Sequence, residues 1–475
     1  MATPQAPPSA QKCQVEMSDG DPCGRPLYLR QAIGDHGYVC VMHSHDWAKE
    51  KDSDAFEQEW RATCDGSSIH NRIKSTRDFQ GFVFFRSKLQ MGWTGDVEIN
   101  FANATFERDA DFSHSYFDGH VDFRNTRFKK RANFEQTRFK GRAVFAGASF
   151  AENANFGWTS FAEEATFYLA RFQREAKFVQ AKFSENAQFG ETIFDGPAYF
   201  VFSRFLQEAG FPRATFSERV EFGFVTFSKI ADFRWANFKD PTQAVFHRIN
   251  NANADKAVTS GLRLRLVGCL PEDIRFEDVN WNRKNHRIYL QDEADLREPS
   301  QEVVRDTPEH GGIPPPLTHE LVADAYRRLV NNFEKSRQHE WAEECFLGEM
   351  EMRRCNPHLF VFANRYWANR LYANFGWARW LGEYVSLTNF YGLLSRYGSS
   401  YKRALAVLAA LLLLSPFFSP RSVCACQLTQ RFRHCAPILT RTLATPERFP
   451  GDAPLNIRSA SPNCSIPSTP DSGTP

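Results

Sequence analysis

The chain has no excess of charge of either sign: 58 Lys and Arg stand against 56 Asp and Glu, a formal net charge of +2 over 475 residues. Imitating duplex DNA requires a dense negative face, so a nucleic-acid mimic is not expected, nor is a nucleic-acid partner. The motifs that carry common chemistries are missing too. There is no G-x-S-x-G, no Walker loop, no H-E-x-x-H and no G-x-G-x-x-G between a strand and a helix, so no enzyme is expected. Residues 1–11 are polar and rich in Pro and Ala, without the basic start and apolar core of a signal peptide, which predicts a cytosolic N-terminal side. No apolar run has the length of an ordinary membrane span. The longest, residues 404–418, covers about 15 residues or about 22 Å as a helix, against a hydrocarbon core of about 30 Å.

Phenylalanine, by contrast, is abundant, with 45 residues. From Phe101 to Phe238 it returns at alternating intervals of five and six, an 11-residue period without a slip. A helix repeats near 3.6 and a strand near 2, so a step of five to six means that the chain turns a corner once per ring. Two residues before each ring the side chain is small, as at Ala104, Ala110, Ser115, Ala132, Thr137 and Ala143. Positions i and i+2 of an extended segment face the same side, so ring and small residue share one interior. The positions between are mostly polar. Such a pattern makes a solenoid whose core is the stack of rings.

The units Ala110-Asp111-Phe112, Ala132-Asn133-Phe134, Ala154-Asn155-Phe156 and Ala231-Asp232-Phe233 resemble the A-(D/N)-(L/F)-x-x repeat of the pentapeptide-repeat proteins. The resemblance implies a mainly β fold, a right-handed quadrilateral β-helix with four units per coil. About 22 residues per coil give roughly six coils for residues 101–238, a rod on the order of 30 Å long. The surplus residue in every second unit departs from the family repeat and predicts a coil that is slightly larger or bulged on alternate faces. Some members of the family protect type II topoisomerases by DNA mimicry. Here 18 Lys and Arg against 17 Asp and Glu between Phe101 and Phe238 argue against that role.

Ahead of the solenoid, residues 12–64 hold Cys13, Cys23, Cys40 and His43, spaced C-x9-C-x16-C-x2-H. Three thiolates and an imidazole suit a tetrahedral zinc shell, structural because no position remains for water. Free thiols with a surface histidine are the alternative in a reducing compartment, His45 is an alternative fourth ligand, and Cys64 is an outside candidate. Bacterial pentapeptide-repeat proteins carry a similar cap with a Cys-x-x-His before an acidic helix, which residues 52–60 would supply. Residues 78–100, with Phe79, Phe82, Phe84 and Phe85, read as an irregular coil covering the first open edge.

The solenoid is expected to extend over residues 78–281, its last coils degenerate and ending near Asp273 to Val279. Asp292, Glu293, Asp295 and Glu298 form an acidic cluster, read as a solvated loop ahead of metal carboxylates, and residues 282–316 as a linker. Residues 317–355 carry apolar residues four apart and read as a helical hairpin. Tyr326-Arg327-Arg328-Leu329 and the stretch Glu349-Met350-Glu351-Met352-Arg353-Arg354 resemble the hairpin of membrane-bound members of the family. His339 and Glu343 have a metal-ligand spacing better explained as a surface contact, and Glu349 with Arg353 reads as a helix ion pair.

Residues 359–397 interleave aromatics with arginines, the composition of interfacial helices. Lys402 and Arg403 then precede the apolar run 404–418, a candidate transmembrane helix that by the positive-inside rule keeps the solenoid cytoplasmic. A soluble aromatic helix pair and a buried helix are the competing readings. Residues 421–475 lack periodicity and read as a disordered tail. The function expected is a non-enzymatic, membrane-anchored scaffold for a protein partner, with a homo-oligomer also compatible. The alternative is the cytoplasmic part of a potassium-channel-like subunit, although no T-x-G-Y-G filter is present.

Overall fold

The 11-residue period winds into a parallel β-solenoid. The computed structural model describes residues 12–17, 20–27, 39–45, 53–65, 76–85, 92–93, 97–250, 261–298, 316–355 and 405–409. Each unit of the regular part contributes a strand, mostly of two residues, and then a corner. Strands pair in parallel with their equivalents 22 residues on, Ala132 with Ala154 and Phe139 with Phe161. They form four sheets of nine, eight, seven and eight strands, one per side of the coil. That is about seven turns rather than the six expected of residues 101–238, because Thr76–Asp78, Val83–Phe84 and Gly92–Trp93 pair in register ahead of the regular run and Arg275–Glu277 extends the far end.

The rings point inward and stack in columns along the axis. Phe167 lies 4.9 Å from Phe145 and 4.8 Å from Phe189, nearly parallel to both, and 5.4 Å from Phe156 edge to face. Both arrangements suit the aromatic quadrupole. The small position two residues before the ring does more than make room. Where it is Thr or Ser, the buried hydroxyl donates across coils to a phenylalanine carbonyl: Thr137 to Phe112, Thr159 to Phe134 and Thr192 to Phe167, at 2.7–2.8 Å. Replacing Thr159 by the isosteric Val is expected to cost about 1 kcal/mol, because the Phe134 carbonyl then keeps only the turn bond from Thr137 N at 3.1 Å. An unchanged urea midpoint would show that this hydroxyl contributes nothing.

The surplus residue does not bulge a strand. The ladders stay in step, and three residues separate each ring from the next strand in both kinds of unit; the six-residue unit places its ring after two strand residues, as Phe112 after Ala110–Asp111, whereas in the five-residue unit the ring is itself the second strand residue, as in Thr105–Phe106. The five-residue units turn through a left-handed residue two past the ring, such as Asn103, Asn125 and Gln136. The next amide returns to the ring's carbonyl, Ala104 N to Phe101 O at 3.0 Å, as a type II turn requires. The Asp or Asn before the ring accepts from the amide two residues on, Asn133 Oδ1 from Glu135 at 3.2 Å and Asp122 Oδ1 from Arg124 at 2.8 Å. These Asx contacts hold the corner.

At the far end the structure corrects two expectations. Residues 283–298 are not a linker: Arg283–Lys284 and Arg287–Ile288 form a small antiparallel ribbon, and Gln291–Arg297 is a helix, α2. Nor is the acidic cluster a solvated loop. Asp292 and Glu293 are buried. Asp292 Oδ2 accepts from Leu266 N at 2.6 Å, Asp295 takes Arg265 at 2.6 Å, and Glu293 takes Arg287 at 2.7 Å and the Tyr326 hydroxyl at 2.9 Å. Burial of these carboxylates is tolerable because each has charged or hydrogen-bonding partners.

His319–Lys335 (α3) and His339–Cys355 (α4) fold back on each other across a three-residue connection. Their inner face meets the last coil, where Phe333 and Trp341 pack on Trp281. Asn332 and Gln338 donate at 2.9 Å to the carbonyls of Ile274 and Phe276, filling acceptors on the terminal strand. Glu349 and Arg353 form the expected i, i+4 ion pair. Among the described residues no helix is long and apolar enough to cross a membrane. Of the run 404–418 only residues 405–409 are described, as helix; residues 1–11, 359–397 and 421–475 lie outside the described residues.

Candidate metal centre

Residues 12–26 double back on themselves, with Cys13 N bonded to Arg25 O at 2.9 Å and Cys23 N to Val15 O at 2.7 Å. This pairing sets Cys13 and Cys23 on one small ribbon despite the nine residues between them. Cys40 and His43 come from a tight turn in which His43 N and Ser44 N both bond to the Cys40 carbonyl. The three sulfurs and a histidine nitrogen then lie within 4.8 Å of one another, all on buried residues. Among the described residues no other such group of three or more appears, so His339 and Glu343 have no third ligand.

The spacing tests the fit. Zn–S bonds of about 2.3 Å and Zn–N bonds of about 2.0–2.1 Å give tetrahedron edges of about 3.8 Å between sulfurs and about 3.5 Å from sulfur to nitrogen. Cys23 and Cys40 sulfurs are 3.9 Å apart, and His43 Nδ1 is 3.4 Å from Cys13 Sγ and 3.2 Å from Cys40 Sγ. The other imidazole nitrogen, Nε2, lies 3.0 Å from the Gln80 carbonyl. Donating there fixes the proton on Nε2 and leaves Nδ1 free as a ligand, the usual outer support of a metal-bound histidine.

Charge points the same way. Bonds from Cys13 and Cys40 hold the Cys23 thiol far below its ordinary range, while burial pushes Cys40 well above it. Burial opposes a charged His43, yet the Cys13 and Cys23 sulfurs outweigh it and raise its pKa to about 9. The cluster thus favours a positive charge at its centre. Three thiolates around a divalent cation carry one net negative charge, and Arg25 Nη1, 3.3 Å from Cys23 Sγ, supplies the compensating positive one. Arg25 is itself buried, paired with Glu59 at 2.8 Å and set over the Phe82 ring.

His45 is outside the cluster, exposed and 3.2 Å from Glu107, and Cys64 lies on the helix Ser53–Asp65 (α1) away from it. That helix runs past the expected 52–60 and seals the cap onto the rod. Its Trp60 ring lies 4.8 Å from Phe79 and 5.3 Å from Phe84, and Val83 N bonds to Met42 O at 2.8 Å. Arg25, Glu59 and Gln80 went unread in the sequence. The only local hint is that Arg25 follows Cys23 by two residues.

With the four-unit coil, its Asx corners and its capped first edge in place, the comparison with known families becomes decisive for the rod. Residues 93–138 and 134–181 both match the family described as pentapeptide repeats (9 copies). The coils of residues 93–181 match pentapeptide repeats. No curated protein matches the chain, and no solved structure does. In this rod the four metal-binding candidates occupy one end, far in sequence from the α2–α4 cap at the other.

Proposed function

We propose that the protein is a non-enzymatic scaffold: a rigid pentapeptide-repeat rod, closed at its first coil by a zinc-stabilised cap and held at a membrane through residues after the hairpin, which displays its sides to a protein partner. The observation that carries this reading is that both ends of the rod are covered by its own chain, through Trp60 and Met42 at one end and Asn332, Gln338 and Trp341 at the other. End-to-end growth is thereby blocked, and the long sides are what remains for recognition. Zinc is the ion that suits three thiolates and an imidazole in a closed shell.

Membrane attachment rests on the order of the sequence: an aromatic and arginine-rich stretch at 359–397, then Lys402 and Arg403, then the apolar run 404–418. Deleting 404–418 is expected to weaken attachment, and removing 359–397 as well should release the rod into the soluble fraction. If the intact chain fractionates as soluble and monodisperse without detergent, the anchor is rejected.

A further inference from the structure

One corner of the rod is built against local preference. Trp158 and Phe202 both occupy the left-handed turn position, at φ 58°, where a bulky side chain is unfavourable, and both face solvent at 58% and 46% exposure. The opposite corner mixes Asn103, Asn125 and Gly147, types suited to that backbone, with the bulky Leu169 and Trp235, so it is the pair of exposed aromatic rings two coils apart that sets this corner off. Phe224 continues the aromatic corner, stacked 4.7 Å from Phe202. The two aromatics therefore incur backbone strain and exposed apolar area together, without burial in the fold to offset either.

The strip beside them is basic. Residues 114–116 and each equivalent triplet 22 residues on, through 224–226, contain no Asp or Glu. Arg138 and Lys182 project from the strands that adjoin this corner and are exposed. Among the described residues neither has a carboxylate within ion-pair reach, whereas Lys140 pairs with Asp118 at 2.9 Å and Arg171 with Asp195 at 2.7 Å. A groove of about 680 Å³ opens here, lined by His114, Ser115, Tyr116, Gln136, Arg138 and Trp158.

We propose that this strip binds an acidic, proline-rich segment of a partner protein in the polyproline II conformation, an inference that rests on the scaffold reading and names its partner's chemistry. The register is the argument. Trp158 and Phe202 are two coils apart, as are Arg138 and Lys182, and two coils of stacked strands advance about 9.6 Å. A polyproline II helix repeats every three residues and about 9.3 Å, so prolines on one edge meet the two aromatic rings while carboxylates at i and i+3 meet the two cations. Single-stranded nucleic acid would also stack on aromatics, but two unpaired cations neutralise too few phosphates to hold it.

The test is fluorescence anisotropy of the full chain in mild detergent with a labelled peptide of repeated Pro-Pro-Glu. Binding is expected, and it should weaken about tenfold or more in Trp158→Ala and in the double variant Arg138→Glu/Lys182→Glu, with melting unchanged because these side chains are exposed. Repeated Pro-Pro-Lys, and a peptide with Glu at every second residue, should bind at least about tenfold more weakly than Pro-Pro-Glu. No binding of Pro-Pro-Glu, equal binding by wild type and variants, or tighter binding of oligothymidylate would overturn the proposal. Fractionation with membranes does not involve this strip, so a failure here is separable from a failure of the anchored scaffold.

Discussion

Replacing Phe167 by Ala is expected to lower the stability of the rod by about 3–5 kcal/mol, the usual cost of emptying a fully buried aromatic site. The ring is 0% exposed and stacks between Phe145 and Phe189, with Phe156 and Phe178 edge-on at 5.4 Å. Neighbouring backbones are held in step by parallel ladders on every side, so the cavity cannot close by shifting one coil. Glu163 is the internal control. It is half-exposed and among the described residues pairs only with His120, at 3.6 Å, and its replacement by Ala should change stability by no more than about 0.5 kcal/mol. Urea unfolding of both variants checks the contrast, and equal midpoints would sink the picture of a ring-filled core.

Removing the cap's metal is expected to unfold residues 12–45 while the middle of the rod stays folded. Structural zinc in small peptides contributes about 10–16 kcal/mol of folding free energy, more than so small a ribbon gains from its own apolar burial. A repeat array transmits the loss only to neighbouring coils, since each coil contacts chiefly the next. Freshly purified reduced protein should contain one zinc per chain. A strong chelator, or Cys40→Ser, should abolish hydrogen-exchange protection around Cys13, Cys23 and His43 and leave the amides near Phe167 protected. The full chain is the right sample, because the cap shares its core with the first coil through Trp60, Phe79 and Phe84. Protein without zinc, or a cap indifferent to chelation, would reject the site.

The solenoid was legible because its signal is repeated and local. Each unit must place one ring inside and turn once, so the five-six alternation carries the topology, the small partner and the core without reference to distant residues. The metal ligands were legible as residue types but not as a geometry. C-x9-C and C-x16-C do not fix a distance, and the ribbon that joins Cys13 to Cys23 is held by Arg25 and Val15 backbone groups. The alternation of five and six was read as a strand bulge because a surplus residue commonly produces one. With strands of only two residues and every ring required inside, the ladder stays in register and the ring's place alternates instead, second in one strand and just after the next.

The amino-acid sequence by itself determined the repeat, its interior of phenylalanine and small residues, the near-neutral surface charge and the four candidate ligands, all properties of residue type and spacing. Only the tertiary structure decided that Thr159 bonds to a carbonyl 25 residues back, that Asp292 and Glu293 are buried against the terminal coil, that Arg25 faces the Cys23 sulfur, and that Trp158 faces outward. Those outcomes depend on which coil stacks on which and on how each end is closed. Contacts made across coils, like that of Thr159, are set by that stacking, and no local pattern encodes them.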